Sequence, residues 1–153
     1  MEVKKERFGM LSSGDAVSIF TVSNGTMSFS AIDYGCCITA ILLPAAKGGY
    51  DDIVLGYSTL EGYIRNKPYF GSIVGRCAGR ISNARFSIEE KCYTLTRNDG
   101  GRHCLHGGYP LYGKQLWQAE PISGSDEAGI RFSRISPNGE QGFPGEVQLT
   151  VSY

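Results

Sequence analysis

The stretch AVSIFTVSNGTMSFSAI, residues 16–32, decides the fold. Ala16–Val22 is apolar and β-branched, Asn24-Gly25 interrupts it, and Met27, Phe29 and Ala31 then alternate with Thr26, Ser28 and Ser30. Alternation with a period of two gives a strand one apolar face and one polar face. Asn-Gly between two such runs is the strongest short hairpin signal, because both residues tolerate positive φ in a type I′ turn. The expectation is a hairpin over residues 16–32.

The same reading extends outward. Ile38–Leu43 (ITAILL) is a continuous apolar run stopped by Pro44, which reads as a strand buried on both faces. Lys47–Asp52 reads as a loop and Ile53–Tyr57 as a short strand. Residues 58–66 (STLEGYIRN) give the one helix, of two turns at most, with Ser58 and Glu61 spaced for a capping box. Phe86–Ile88 and Cys92–Leu95 flank Glu89-Glu90-Lys91 as a second hairpin. Leu116–Ile122, Ile130–Ile135 and Val147–Tyr153 read as strands separated by turn clusters. Short strands at regular spacing with almost no helix predict an all-β sandwich or barrel in one domain, residues 1–153. In the last strand, Val147, Leu149, Val151 and Tyr153 alternate with polar residues, and the pattern is still running at Tyr153. A one-faced strand needs neighbours. The expectation is that this chain is the N-terminal portion of a larger sheet, completed by further polypeptide or by a second chain.

Fifteen Lys and Arg balance fifteen Asp and Glu, so the chain lacks the basic surplus that coating nucleic acid or an anionic membrane requires. The longest apolar stretch, Ile38 to Ala46, is far short of the ~18–20 residues that cross hydrocarbon. MEVKKERFGM is charged and does not read as a secretory signal. Cys36, Cys37, Cys77, Cys92 and Cys104 are odd in number, with two adjacent and no CxxC, which reads as reduced thiols, many of them buried, in a cytoplasmic protein.

Two segments hold residues that could carry chemistry. Both histidines lie in His103-Cys104-Leu105-His106-Gly107-Gly108. Three readings compete there: a metal site, for which no second ligand pair exists; a polar loop with a Gly-Gly turn; and a substrate-contacting His where glycines let a ligand approach the backbone. Gly75-Arg76-Cys77-Ala78-Gly79-Arg80-Ile81 places two arginines four apart. They read either as surface residues covering apolar area with their stems or as guanidinium forks for hydroxyls or a carboxylate. No Lys-Ser/Thr follows, so this is no phosphate loop. The pairs Asp51-Asp52, Glu89-Glu90 and Asp126-Glu127 read as solvated turn charge, and no Gly-x-Ser-x-Gly elbow exists. Tyr69, Phe70, Tyr109, Tyr112, Trp117 and Phe143 suit either sugar stacking or the core.

In order and spacing, GRCAGRI (75–81), FSIEEKCYTL (86–95), LHGG (105–108), KQLW (114–117) and FSRISPNGEQGFPGEVQLTVSY (132–153) resemble the N-terminal half of the aldose 1-epimerases, or galactose mutarotases. NGTMSFSAIDYGCCITAILLP and DIVLGYSTLEGYIRNKPYFGSIVGR fit the same family. The resemblance implies a twisted antiparallel β-sandwich, incomplete in this chain, and interconversion of the α and β anomers of free hexoses such as galactose or glucose, without metal or organic cofactor. In that family a Glu base takes the C1 hydroxyl proton and a His acid protonates the ring oxygen, so the ring opens and recloses.

Carried over residue by residue, His106 matches the His of LHGG and Arg80 the Arg of an Asn-Arg pair, both sugar contacts. Gly79 stands where the family has the Asn, which removes one amide contact from the substrate-binding set. Lys114 and Trp117 match a pattern in which an Asp precedes the Lys, and here that place is Gly113. The family's acid His, a sugar-binding Asp and the base Glu lie in its C-terminal half, so no catalytic residue is expected within this chain. The alternatives are a non-catalytic carbohydrate-binding module and an interaction protein whose sheet edge is taken by a partner.

Overall fold

The computed structural model describes residues 1–153. Five strands form an antiparallel meander in sequence order: β1 (Glu2–Met10), β2 (Ala16–Ser23), β3 (Ser28–Ile32), β4 (Ile38–Pro44) and β5 (Tyr50–Asp52). After the short helix α1 (Leu60–Arg65) come the two-residue strand β6 (Arg80–Ile81) and the hairpin β7 (Arg85–Ile88) and β8 (Lys91–Thr94). β9 (Cys104–Leu105) pairs back onto β6. β10 (Gln118–Ser123), β11 (Ala128–Ser136) and β12 (Val147–Ser152) close the chain as a second antiparallel sheet with β11 in the middle.

The two sheets face each other across one core. Phe20 and Ala31 from the first sheet meet Ile130 and Phe132 from the second, with Cys36, Tyr112 and Trp117 filling between them. Phe29, Leu149, Val151 and Tyr153 pack on its rim, and the Tyr153 hydroxyl donates to the Cys36 carbonyl at 3.0 Å, tying the residue after β12 to the connection between β3 and β4. The fold is therefore all-β and antiparallel, as expected, and Trp117 and Tyr112 belong to the core. On the outer face of the five-stranded sheet, Val17, Ile32, Tyr34 and Cys37 bury Leu60 and Tyr63 of α1. A third cluster, Ala84, Leu95, Cys104 and Phe143, sits under the β7–β8 hairpin. Three of the five cysteines (Cys36, Cys37, Cys104) are buried as small hydrophobes, whereas Cys77 and Cys92 are exposed.

Several local expectations are corrected. The hairpin at 16–32 forms with Ser23 opposite Ser28, so its loop has four residues, not two. Gly25 takes positive φ but Asn24 does not; instead the Asn24 carboxamide oxygen accepts the amides of Thr26 (2.9 Å) and Met27 (2.8 Å), an Asx turn in place of type I′. β4 is half-buried from Ile38 to Leu43 and exposed at Pro44 rather than buried on both faces, because its outer neighbour β5 is three exposed residues long. The strand expected at Ile53–Tyr57 lies earlier, inside the segment read as loop. The Asp52 carboxylate accepts the Ile41 and Val54 amides (3.0 and 3.1 Å), which replaces the ladder and turns the chain away. The capping box is not made: Thr59 is the N-cap and no side chain caps the helix. So short a helix is marginal alone. It is held by burial of Leu60 and Tyr63 and, at its other end, by the Lys114 ammonium, which donates to the carbonyls of Tyr63 (2.5 Å) and Ile64 (2.8 Å). β1 was not anticipated. Its Lys4, Lys5, Glu6 and Arg7 hide the strand pattern, and such charge is normal on an outer strand.

The turn between β11 and β12 is fastened by an ion pair. Both nitrogens of the Arg134 fork donate to the Glu140 carboxylate, which also accepts from the Ser136 hydroxyl. Burial works against the charged Glu140, but the bonds from Arg134 and Ser136 outweigh it and hold its pKa below the usual range. A carboxylate depressed in the folded state stabilises fully above its unfolded pKa, about 4.3, and loses that contribution as pH falls through the folded value. Urea melts between pH 7 and pH 3 are therefore expected to show a decline below about pH 4.3 that is shallower in Glu140→Gln. Parallel curves for the two proteins would contradict the assignment.

Candidate functional site

The site grows from the smallest sheet in the molecule. β6 and β9 pair Arg80 with Leu105 and Ile81 with Cys104. One step beyond, Gly79 and His106 lock together: the His106 amide donates to the Gly79 carbonyl at 2.9 Å, and the Gly79 amide donates to His106 Nδ1 at 3.1 Å. The fold thus places Gly79, Arg80 and His106 side by side. The Asn98 carboxamide imitates a third strand, donating to the Leu105 carbonyl (2.8 Å) and accepting its amide (2.7 Å).

His106, Gly107 and Gly108 are three successive left-handed residues, with φ of 53°, 85° and 85°. The two glycines serve the fold rather than ligand approach. A side chain on Gly107 would strike the Gly75 carbonyl, and one on Gly108 the Thr96 hydroxyl. The run swings the His106 ring out against Tyr69, edge to face with centroids 5.0 Å apart. The Tyr69 hydroxyl is pushed up in pKa, by burial first and then by neighbouring Tyr109 and Asp99. Tyr69 and Tyr109 also border a cleft of about 420 Å³, with Arg65 and Lys67 on its wall, which lies in the usual size range of small-ligand sites.

The two arginines of GRCAGRI have opposite fates. Arg76 is spent internally: it donates to the Ser136 hydroxyl (2.8 and 3.1 Å) and to the carbonyls of Ser136 (3.2 Å), Pro137 (2.9 Å) and Pro144 (2.9 Å), and lies over the Phe143 ring. Arg80 is exposed. Its Nε meets the Asp99 carboxylate at 2.7 Å, and its two terminal nitrogens have no protein partner. The hydrogen bond and charge of Asp99 raise the Arg80 pKa. Asp99 is lowered by the same bond. A guanidinium held by one edge presents its free edge to solvent as a donor fork.

The structure does not gather the loop's candidate metal ligands. His103 Nδ1 accepts the Asn83 amide at 3.2 Å, Cys104 points into the third core, and His106 Nδ1 is taken by Gly79. No three His, Cys, Asp or Glu side chains gather anywhere in the chain. Gly113, which stands where the family pattern has an Asp, leaves little room for a side chain: its Cβ would meet Ser72 Cβ at 2.9 Å. Of the aromatics named from sequence, Tyr69 and Tyr109 reach the site, whereas Phe143 packs in the third cluster and Phe70 stacks on Tyr57. Asn98, Asp99 and Gln141 were not anticipated. Only the turn cluster Asn98-Asp99-Gly100-Gly101 marks the first two in the sequence.

Comparison with known proteins gives the family and the fold. A family model described as Aldose 1-epimerase matches residues 18–153. Galactose mutarotase of Rattus norvegicus is 40% identical over 154 residues, which cover 100% of this chain and 44% of the rat protein. Aldose 1-epimerase of Streptococcus thermophilus is 32% identical over 153 residues, again covering 100% of this chain and 44% of that protein. The crystal structure of galactose 1-epimerase from Lactobacillus acidophilus NCFM superposes with a TM-score of 0.86 at 23% identity, over 99% of this chain and 44% of that one, which shows the shared fold. The chain spans about 44% of the length of these curated relatives.

Proposed function

The chain belongs to the aldose 1-epimerase family, and from that premise we propose that it supplies the sugar-gripping part of a mutarotase site acting on free hexoses such as galactose or glucose. The observation that carries this reading is the Gly79–His106 lock beside the free Arg80 fork. Together they offer an imidazole N–H, beside the Tyr69 ring, and two guanidinium nitrogens on neighbouring residues of the β6–β9 pair. Those are donors for hydroxyl and ring oxygens of a pyranose. The proton-moving pair, an acid His and a base Glu, belongs in this reading to a C-terminal half or a second chain, so the 153-residue chain alone is expected to be inactive. Five unpaired thiols suit a reducing compartment, and the cytoplasm is the location this reading carries.

Calorimetric titration with galactose tests the grip. Arg80→Ala is expected to weaken binding about tenfold, the loss of one hydrogen bond to a charged donor, with the melting temperature unchanged. Gly79→Asn is expected to tighten it: a Cβ there meets nothing within 4 Å, and φ of +77° is one that Asn tolerates. Equal affinities across the three proteins would remove these residues from the sugar site. Polarimetry of freshly dissolved α-galactose tests the division of labour. A catalysed rate from this chain alone, abolished by His106→Ala, would overturn it.

A further inference from the structure

The turn at residues 136–145 touches both segments that carry the site, and Gln141 stands at the contact. Gln141 is 5% exposed, with φ of +59°. Its Nε2 lies within hydrogen-bonding distance of three main-chain carbonyls: Gly75 at 3.2 Å, Gly108 at 3.1 Å and Pro110 at 2.7 Å. The opposite amide orientation would set an acceptor against three acceptors, so the partners fix which atom faces them. The carboxamide oxygen is buried and has no protein partner. Apolar packing alone does not account for a buried carboxamide on a left-handed residue.

Its carbonyl partners explain it better. Gly107 lies directly on the Gly75 carbonyl because neither residue has a side chain. The two hydrogens on Gln141 Nε2 serve three carbonyls, one hydrogen being shared between two of them, and the Gly75 and Gly108 carbonyls are both among them, so the amide fastens the two segments where they cross. His106 is two residues before Gly108, and Gly79 is four after Gly75. Arg76 braces the same turn from the other side, at residues 136, 137 and 144, but reaches neither Gly108 nor Pro110.

We propose that Gln141 is the positioning residue of the His106 site: its amide fastens Gly75, Gly108 and Pro110 together and so keeps the Gly79–His106 lock in register. The consequence for sugar rests on the function proposed above; the mechanical role does not. In the unaltered chain, NMR is expected to show scalar coupling across the hydrogen bonds from Gln141 Nε2 to the Gly75 carbonyl carbon and to at least one of the Gly108 and Pro110 carbonyl carbons. In Gln141→Met, hydrogen exchange at the Gly79 and His106 amides is expected to accelerate at least tenfold, and the His106 Nδ1 resonance to lose its hydrogen-bonded shift. Phe132→Leu, a loss in the main core, is the control for general destabilisation and is expected to leave both readouts in place. Galactose affinity is expected to fall about tenfold in Gln141→Met and not in Phe132→Leu, a change of about 1.4 kcal/mol. Missing couplings in the unaltered chain, unchanged exchange in Gln141→Met, or equal acceleration in Phe132→Leu would each overturn the proposal. The couplings decide it even where Gln141→Met does not fold. Absence of galactose binding by the unaltered chain would instead sink the sugar reading, with the exchange and coupling data still deciding the role of Gln141.

Discussion

Arg76→Ala is expected to lower the free energy of unfolding by about 3 kcal/mol, with a fall in melting temperature of roughly 10 °C. The guanidinium of Arg76 satisfies the hydroxyl and carbonyl of fully buried Ser136 together with the Pro137 and Pro144 carbonyls. Truncation strips several acceptors at once, and an acceptor left unsatisfied away from water costs about 1–3 kcal/mol. It also removes the cation resting on Phe143 and a positive charge that helps hold Glu140 ionised. Arg80, four residues on, is exposed and has one partner, and Arg80→Ala is expected to melt with the parent chain. Urea unfolding of the two variants side by side checks the contrast. Equal losses would mean that one motif does not divide into a brace and a ligand contact.

Gly107→Ala is expected to be more damaging still, at least about 4 kcal/mol, enough to leave little folded protein. Two costs combine. At φ of +85° an L-residue is strained by about 1–2 kcal/mol. The new methyl would also lie on the Gly75 carbonyl and 2.6 Å from the Arg76 nitrogen, both main-chain atoms that cannot swing aside. Gly79→Ala isolates the first cost, since its φ is +77° but its Cβ meets nothing within 4 Å. It is expected to lose only the strain term. Circular dichroism and soluble yield of the two alanine variants measure the difference. A Gly107→Ala chain as stable as Gly79→Ala would show that the two segments separate freely.

The legible part of this fold is the part written in neighbouring residues. β2, β3, β7, β8, β11 and β12 follow from alternation and turn residues, because strand faces repeat every two positions. β1 does not, since an outer strand tolerates Lys4, Lys5, Glu6 and Arg7 on positions that would otherwise show the period. Ile53–Tyr57 has the composition of a strand, but the Asp52 side chain takes the ladder's place. Gly79, Arg80 and His106 are named as candidates through their order in the chain. Asp99 and Gln141 were not, because what makes them matter is a partner 19 or 66 residues away, Arg80 in one case and the Gly75 carbonyl in the other. The same holds for Arg76, whose sequence surroundings are those of Arg80.

One bond in this structure also sets which edge of the His106 ring faces outward as a donor. With the Gly79 amide donating to Nδ1, the ring hydrogen belongs on Nε2. A transition-metal ion, which seeks the Nδ1 lone pair, meets the same amide. The imidazole is thereby fixed as a giver of one hydrogen bond, suited to holding an oxygen still while other groups do the exchange.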